Sequence, residues 1–120
     1  MRPEDCVFCE LYREGTHVNA AAGFVAIEDI NPKAPTHLLV IPERHVDTFR
    51  EVGEFPPDES KRMLEFIAET ARALGIHDYR LLVNVGESAG QTIFHLHWHL
   101  LAGESSREDV PAVATAEAEA

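Results

Sequence analysis

The sequence is short of positive charge, of cysteine and of long apolar runs. Ten Lys and Arg stand against 21 Asp and Glu, a net charge of −11 over 120 residues. A phosphate polyanion would repel such a chain, which argues against a nucleic-acid binder but not against a small phosphorylated ligand in a local pocket. No apolar run approaches the ~20 residues that cross a bilayer, so a membrane span is not expected. The start, Met1-Arg2-Pro3-Glu4-Asp5, has no apolar segment behind it of the kind a signal peptide carries. Two cysteines are too few for a disulfide scaffold. In a reducing compartment they serve as thiols or metal ligands, and the expected location is the cytoplasm. Apolar side chains make up 45% and charged ones 26%, ordinary for one globular domain with one core.

Two regions differ in composition. Residues 1–103 read as the folded domain. Residues 104–120 hold five acids against the single Arg107 and close on an Ala/Glu-rich string without aromatic anchors. They are expected to form a disordered acidic tail. Within the domain, Gly23–Glu28 and His37–Ile41 read as strands, separated by a loop with Pro32 and Pro35. Pro57, Asp58 and Glu59 open a helix, where the orphan amides favour proline and acids. Met63, Leu64, Phe66, Ile67, Ala71 and Leu74 follow at helical spacing, and Gly75 ends it. Tyr79–Val85 and Phe94–Leu101 read as strands, and residues 8–15 as a short N-terminal helix. This order predicts an α+β fold, an antiparallel sheet with the long helix packed on one face.

Seven histidines are many for this length, and three of them alternate. His95, His97 and His99 interleave with Leu96, Trp98 and Leu100. In a strand all three imidazoles would line one face, roughly 7 Å apart, with the apolar set on the other. That pattern fits a solvated polar face, a three-histidine metal site, or phosphate chemistry in which one imidazole attacks phosphorus. The residues upstream favour the third reading. Asn84, Gly86, Gly90, Gln91 and Thr92 form a glycine-flexed loop that can turn amides and a hydroxyl toward an oxyanion, although a plain hairpin loop has the same composition. His17 and His77 match no motif and are expected at the surface; Trp98 is expected in the core.

Three stretches together resemble the histidine triad (HIT) family. They are Asn84 to Leu101 with its His-φ-His-φ-His-φ-φ pattern (φ apolar), Asp29 to His45 with Pro-Thr-His and Ile-Pro-x-x-His, and Cys6-Val7-Phe8-Cys9. The resemblance implies a dimeric half-barrel that binds a purine nucleoside monophosphate on its sheet, and a reaction at the α-phosphate with His97 as nucleophile. By the same resemblance His99 contacts the phosphate, His37 lines it and Thr92 stands near the leaving group. Asn84, Gly90 and Gln91 touch phosphate and ribose, Asp29 holds the ribose hydroxyls, and Ile30 contacts the base. Cys6, Cys9, His45 and His95 match a structural Zn2+ set, a sound tetrahedral combination; the alternatives are unliganded thiols and a redox pair. No organic cofactor is implied.

The resemblance is nearest to the Hint-like branch, which implies a phosphoramidase acting on an AMP-amine. The same residues would serve a dinucleoside polyphosphate hydrolase, or a nucleotide-binding scaffold protein without turnover. The C-terminal segment departs from the Hint-like pattern: after Gly103 there is Pro111 but no tryptophan, so leaving-group preference is not legible.

Overall fold

The computed structural model describes residues 5–103, so residues 1–4 and the tail expected over 104–120 lie outside the described residues. Helix α1 spans Val7–Glu14. Cys6 caps it, its Sγ accepting the Cys9 N–H at 3.2 Å. Strands β1 (Asn19–Ala21), β2 (Phe24–Glu28) and β3 (Thr36–Pro42) follow, then helix α2 (Pro57–Ala73), β4 (Arg80–Leu82) and β5 (Trp98–Ala102). The strands form one sheet in the order β1-β2-β3-β5-β4, with every neighbouring pair antiparallel. The α+β architecture is the one expected from the sequence.

Helix α2 starts with proline and two acids in its first turn and has Arg72 in its last, which suits the helix dipole. Its buried stripe is Met63, Phe66, Ile67, Thr70 and Ala71. The stripe packs on Phe24, Ala26, Leu38, Val40 and Leu100, the side chains that β2, β3 and β5 turn to that face. Full burial of each large apolar side chain contributes about 1.5–3 kcal/mol. The alternate residues Val25, Ile27, Leu39 and Ile41 face the other way and pack on Cys6 and Phe8 at the start of α1. The sheet is therefore covered on both faces, the second cover being the short N-terminal helix.

Two local expectations need correction, and two elements are new. The strand expected over Phe94–Leu101 pairs only from Trp98 to Ala102. Continued in register, Leu96 would stand opposite Pro42, which has no N–H to give; Leu96 N–H bonds instead to Val46 O at 2.8 Å. The strand expected over Tyr79–Val85 shrinks to Arg80–Leu82. Strand β1 and the 3-10 turns over Phe49–Glu54 were not foreseen. The latter are set by a capping box, in which Thr48 Oγ1 accepts Arg50 N–H at 3.0 Å and Glu51 Oε1 accepts Thr48 N–H at 2.9 Å.

Candidate active site and candidate metal centre

Pairing of β3 with β5 sets Leu39 opposite His99 and His37 opposite Leu101. His37 and His99 thus share the face that α1 partly covers, as diagonal neighbours with ring centroids 5.1 Å apart. His97, although outside β5, keeps its ring on this face, 5.3 Å from that of His99. His37, His95, His97 and His99 are all buried.

Backbone groups decide where the protons sit. His97 Nδ1 lies 2.7 Å from the carbonyl oxygen of His95, which can only accept. The proton of a neutral His97 is therefore on Nδ1, and Nε2 carries the lone pair. Lys33 N–H donates to His37 Nδ1 at 3.0 Å, so the proton of neutral His37 is on Nε2. That proton faces His99 Nδ1 at 2.8 Å and, at the longer 3.4 Å, Asp29 Oδ2. His99 Nδ1 accepts, which leaves Nε2–H as the donor of a neutral His99. Burial pushes the pKa of His37 below the ordinary histidine value; Asp29 opposes this and Lys33 adds to it.

Asp29 Oδ1 also accepts the Asn31 N–H at 2.8 Å, which closes the loop before β3. A cavity of about 210 Å³ lies beside it, lined by Glu28, Asp29, Pro32, Pro35, Thr36, His37 and Leu38. Ile30 stands next to Asp29 and is 91% exposed. The glycine loop is built around Gln91, which is buried. Gln91 Oε1 accepts Gly86 N–H at 2.9 Å, and its Nε2 donates to Asp47 O at 2.8 Å and Ile93 O at 3.0 Å. Both polar atoms of that amide thus hold the loop. Gly90 adopts the left-handed conformation, φ 98°, that favours glycine. Asn84 Nδ2 donates to Ala89 O at 2.8 Å, while its buried Oδ1 has no partner among the described residues. Thr92 is exposed at the loop's end.

The second cluster joins α1 to the chain around the triad. Cys6, Cys9, His45 and His95 present ligand atoms that all lie within 4.8 Å of one another, close enough to hold a metal ion. Cys6 Sγ is 3.2 Å and Cys9 Sγ 3.5 Å from His95 Nδ1, and Cys9 Sγ is 3.3 Å from His45 Nδ1. A tetrahedral centre with thiolate and imidazole ligands has S···N edges of roughly 3.5 Å, so the spacing fits. The tautomers fit as well. His95 Nε2–H donates to Pro42 O at 2.8 Å, and His45 Nε2 meets Asp47 Oδ1 at 3.2 Å. Each ring therefore turns an unprotonated Nδ1 toward the sulfurs, the arrangement seen in metal-bound histidines. Burial drives the His95 pKa down to about 4. Burial first, and then the adjacent Cys6 thiol, push Cys9 up to about 11. A bound cation would reverse that preference and draw the proton off.

Asp29, His37 and His99 also lie within ligand distance of one another. Lys33 N–H occupies His37 Nδ1, and the proton is thereby held on Nε2, so this trio is a hydrogen-bond chain. The structure thus brings together His37, His97, His99 and Asp29, and separately Cys6, Cys9, His45 and His95. His77 is exposed as expected; His17 is half-buried instead, its Nε2–H donating to Leu11 O at 3.0 Å. Trp98 is half-buried against the core, its indole N–H without a partner among the described residues. Sequence reasoning missed Asp47 behind His45, Lys33 behind His37, and Phe8, whose ring meets His97 edge-on. Asp47, two residues after His45, was the one with a sequence signal.

Residues 14–106 match the family model described as HIT domain. An uncharacterized HIT-like protein of Helicobacter pylori is 43% identical over 68% of this chain and 77% of its own length. The purine nucleoside phosphoramidase of Escherichia coli is 39% identical over 65% of this chain and 67% of its own. A HIT family hydrolase from Legionella pneumophila, known from its crystal structure, superposes with a TM-score of 0.76. It is 36% identical, over 82% of this chain and 93% of that one.

Proposed function

The chain belongs to the HIT family, and on that premise we propose that it hydrolyses a purine nucleoside 5′-phosphoramidate or similar compound through a nucleotidyl-His97 intermediate. The observation that carries this reading is the 2.7 Å bond from His97 Nδ1–H to the His95 carbonyl. It leaves Nε2 as the attacking nitrogen. As Nε2 bonds to the α-phosphorus the ring becomes cationic, and its Nδ1–H bond to the carbonyl strengthens. The bond from phosphorus to the leaving amine breaks, and the amine departs with a proton taken up from solvent. Water then attacks phosphorus and returns a proton to solvent, His97 is released neutral and the nucleoside monophosphate leaves. Two smaller barriers replace one large one.

His99 supports the charge on the phosphoryl oxygens through Nε2–H, with His37 holding its tautomer. Thr92, Asn84, Gly90 and Gln91 belong to the loop on the leaving-group and phosphate side, Gln91 through the backbone it fixes. Asp29 receives the ribose hydroxyls at the mouth of the cavity, and the exposed Ile30 offers the base an apolar surface. Zn2+ in the Cys6, Cys9, His45 and His95 set would supply a structural tie between α1 and the triad, with no part in the bond-breaking step. Thiols kept as ligands suit a reducing compartment, and we place the protein in the cytoplasm. No helix among the described residues is long and apolar enough to cross a membrane. The functional unit is a homodimer in this reading. β4 is an edge strand, and the exposed Leu81 lies on the same side of the sheet as α2 with its exposed Leu64.

The test is turnover of adenosine 5′-phosphoramidate by the wild type beside His97→Ala. AMP release by the wild type, reduced about 10⁴-fold or more in the variant, is expected. A folded wild type that binds AMP but releases none from the phosphoramidate refutes the reading. Weight would then pass to a dinucleoside polyphosphate substrate or to a binding role.

A further inference from the structure

Helix α1 reaches both clusters at once. Cys6 and Cys9 face the metal set, and Phe8 between them is buried on the same side. The Phe8 ring stands edge-on to His97, with centroids 4.8 Å apart and planes at 82°. It also meets His95, at 6.2 Å and 72°. His95 makes a second connection. Its ring Nδ1 faces the two sulfurs, while its own backbone carbonyl accepts the His97 Nδ1–H.

An imidazole needs such constraints. Rotation about the bond joining the ring to Cβ has broad, two-fold minima, so rotamer preference alone does not choose which nitrogen faces a substrate. The hydrogen bond to the His95 carbonyl fixes one end of the ring. The edge-to-face contact restrains its plane, an arrangement favoured over a face-to-face sandwich. Both constraints pass through elements that the metal set ties down. α1 has eight residues, too few to hold a helical shape without packing or a staple.

We propose that Phe8 is a positioning residue for His97, and that the Cys6, Cys9, His45 and His95 set transmits metal occupancy to the orientation of the nucleophilic ring through Phe8 and the His95 backbone. This rests on the reading of His97 as nucleophile. It assigns the residue between the cysteines a role in turnover rather than in folding alone. It also makes the metal site a control on the reaction, although the ion touches no substrate. Misplacing a nucleophile by an ångström costs on the order of 10²-fold in rate.

The experiment uses the full chain as wild type, Phe8→Leu and Cys9→Ser. Each is assayed for zinc content, for kcat and KM on adenosine 5′-phosphoramidate, and for the 15N shifts of the His97 imidazole at one alkaline pH. The wild type is expected to bind one zinc and to show a single His97 tautomer protonated at Nδ1. Phe8→Leu is expected to keep its zinc and its KM, to lose about 10- to 10²-fold in kcat, and to show His97 shifts moved toward a tautomer average. Cys9→Ser, and wild type stripped by a chelator, should show the same movement, reversed in the stripped protein by added Zn2+. Wild-type shifts and kcat in a zinc-loaded Phe8→Leu would overturn the role of Phe8. His97 shifts that ignore zinc removal would overturn the coupling, even if Phe8→Leu fails to fold. Should the wild type turn over no phosphoramidate, the proposed activity fails while the shifts still decide this inference.

Discussion

His37 donates its Nε2 proton to His99 Nδ1 across 2.8 Å, because Lys33 N–H holds the other nitrogen of His37 as an acceptor. One backbone amide thus fixes the tautomers of two buried rings 62 residues apart. The end of that chain is His99 Nε2–H, the donor the proposed reaction needs at phosphorus.

Removing the donor should therefore act on rate more than on affinity. His37→Ala frees His99 to take either tautomer. We expect kcat on the phosphoramidate to fall about 10²-fold, within the range of a lost proton-positioning group, with KM changed only a few-fold. Steady-state kinetics beside a circular dichroism spectrum check this. An unchanged kcat in a folded variant would show that His37 sets nothing at His99.

Acid should destabilise the fold through the same residue. Burial lowers the folded-state pKa of His37 below the ordinary value of 6.5. Above pH 6.5 neither state holds the proton and the contribution to stability is complete. As pH falls below 6.5 the unfolded chain takes up the proton first, and stability is lost until the folded pKa is passed. The slope has a ceiling of about 1.4 kcal/mol per pH unit for one proton. Melting temperature against pH for wild type and His37→Asn should diverge in slope below 6.5, the variant being flatter. Parallel curves would count against the assignment.

The exposed apolar face should be a subunit contact. Leu81 on the edge strand β4 is 45% exposed and Leu64 on α2 is 53% exposed. Leu81→Glu places a charge where an edge-to-edge pairing would bury it. We expect the wild type to sediment at twice the chain mass at micromolar concentration and Leu81→Glu at the chain mass. A monomeric wild type would remove the dimer from the proposal.

The loop before the triad should depend on one glycine. Gly86 has φ 94° and ψ 162°, a region essentially closed to side chains. Its N–H bonds to Gln91 Oε1, and an added Cβ would lie 2.5 Å from Arg50 Nη2. The arginine can swing aside, but the backbone angle cannot relax without opening the loop. Gly86→Ala should cost about 1–3 kcal/mol, read as a fall in melting temperature of roughly 5–15 °C for a domain of this size. An unaltered melting point would mean that the loop does not hold this conformation.

The composition and the periodicities were enough for the elements that bury one regular face. The spacing of Met63, Phe66, Ile67 and Ala71 matches the buried stripe of α2, and the helix at the N-terminus lies within a residue of its expected span. The alternation His95, His97, His99 read correctly for side-chain direction but not for strand extent. Alternation reports where side chains point, whereas a ladder needs a partner with free amides, and Pro42 ends it. β1 was missed because Asn19, Ala20 and Ala21 have neither bulk nor alternation, and only pairing with Ala26, Val25 and Phe24 makes them a strand.

The sequence by itself determined the residue types: three alternating histidines, a fourth in β3, two cysteines at a ligand spacing, and a glycine-flexed loop. Tertiary structure decided which nitrogen of each ring carries a proton. Those protons are placed by the carbonyls of His95 and Pro42 and by the amide of Lys33. Backbone groups are the same in every sequence, so their positions exist only once register and loops are set. The family resemblance implied that Cys6 and His95, 89 residues apart, share a site, but their distances and the edge-to-face contact of Phe8 with His97 belong to the same class. They follow from packing α1 on the triad face of the sheet, which no local pattern in the chain encodes.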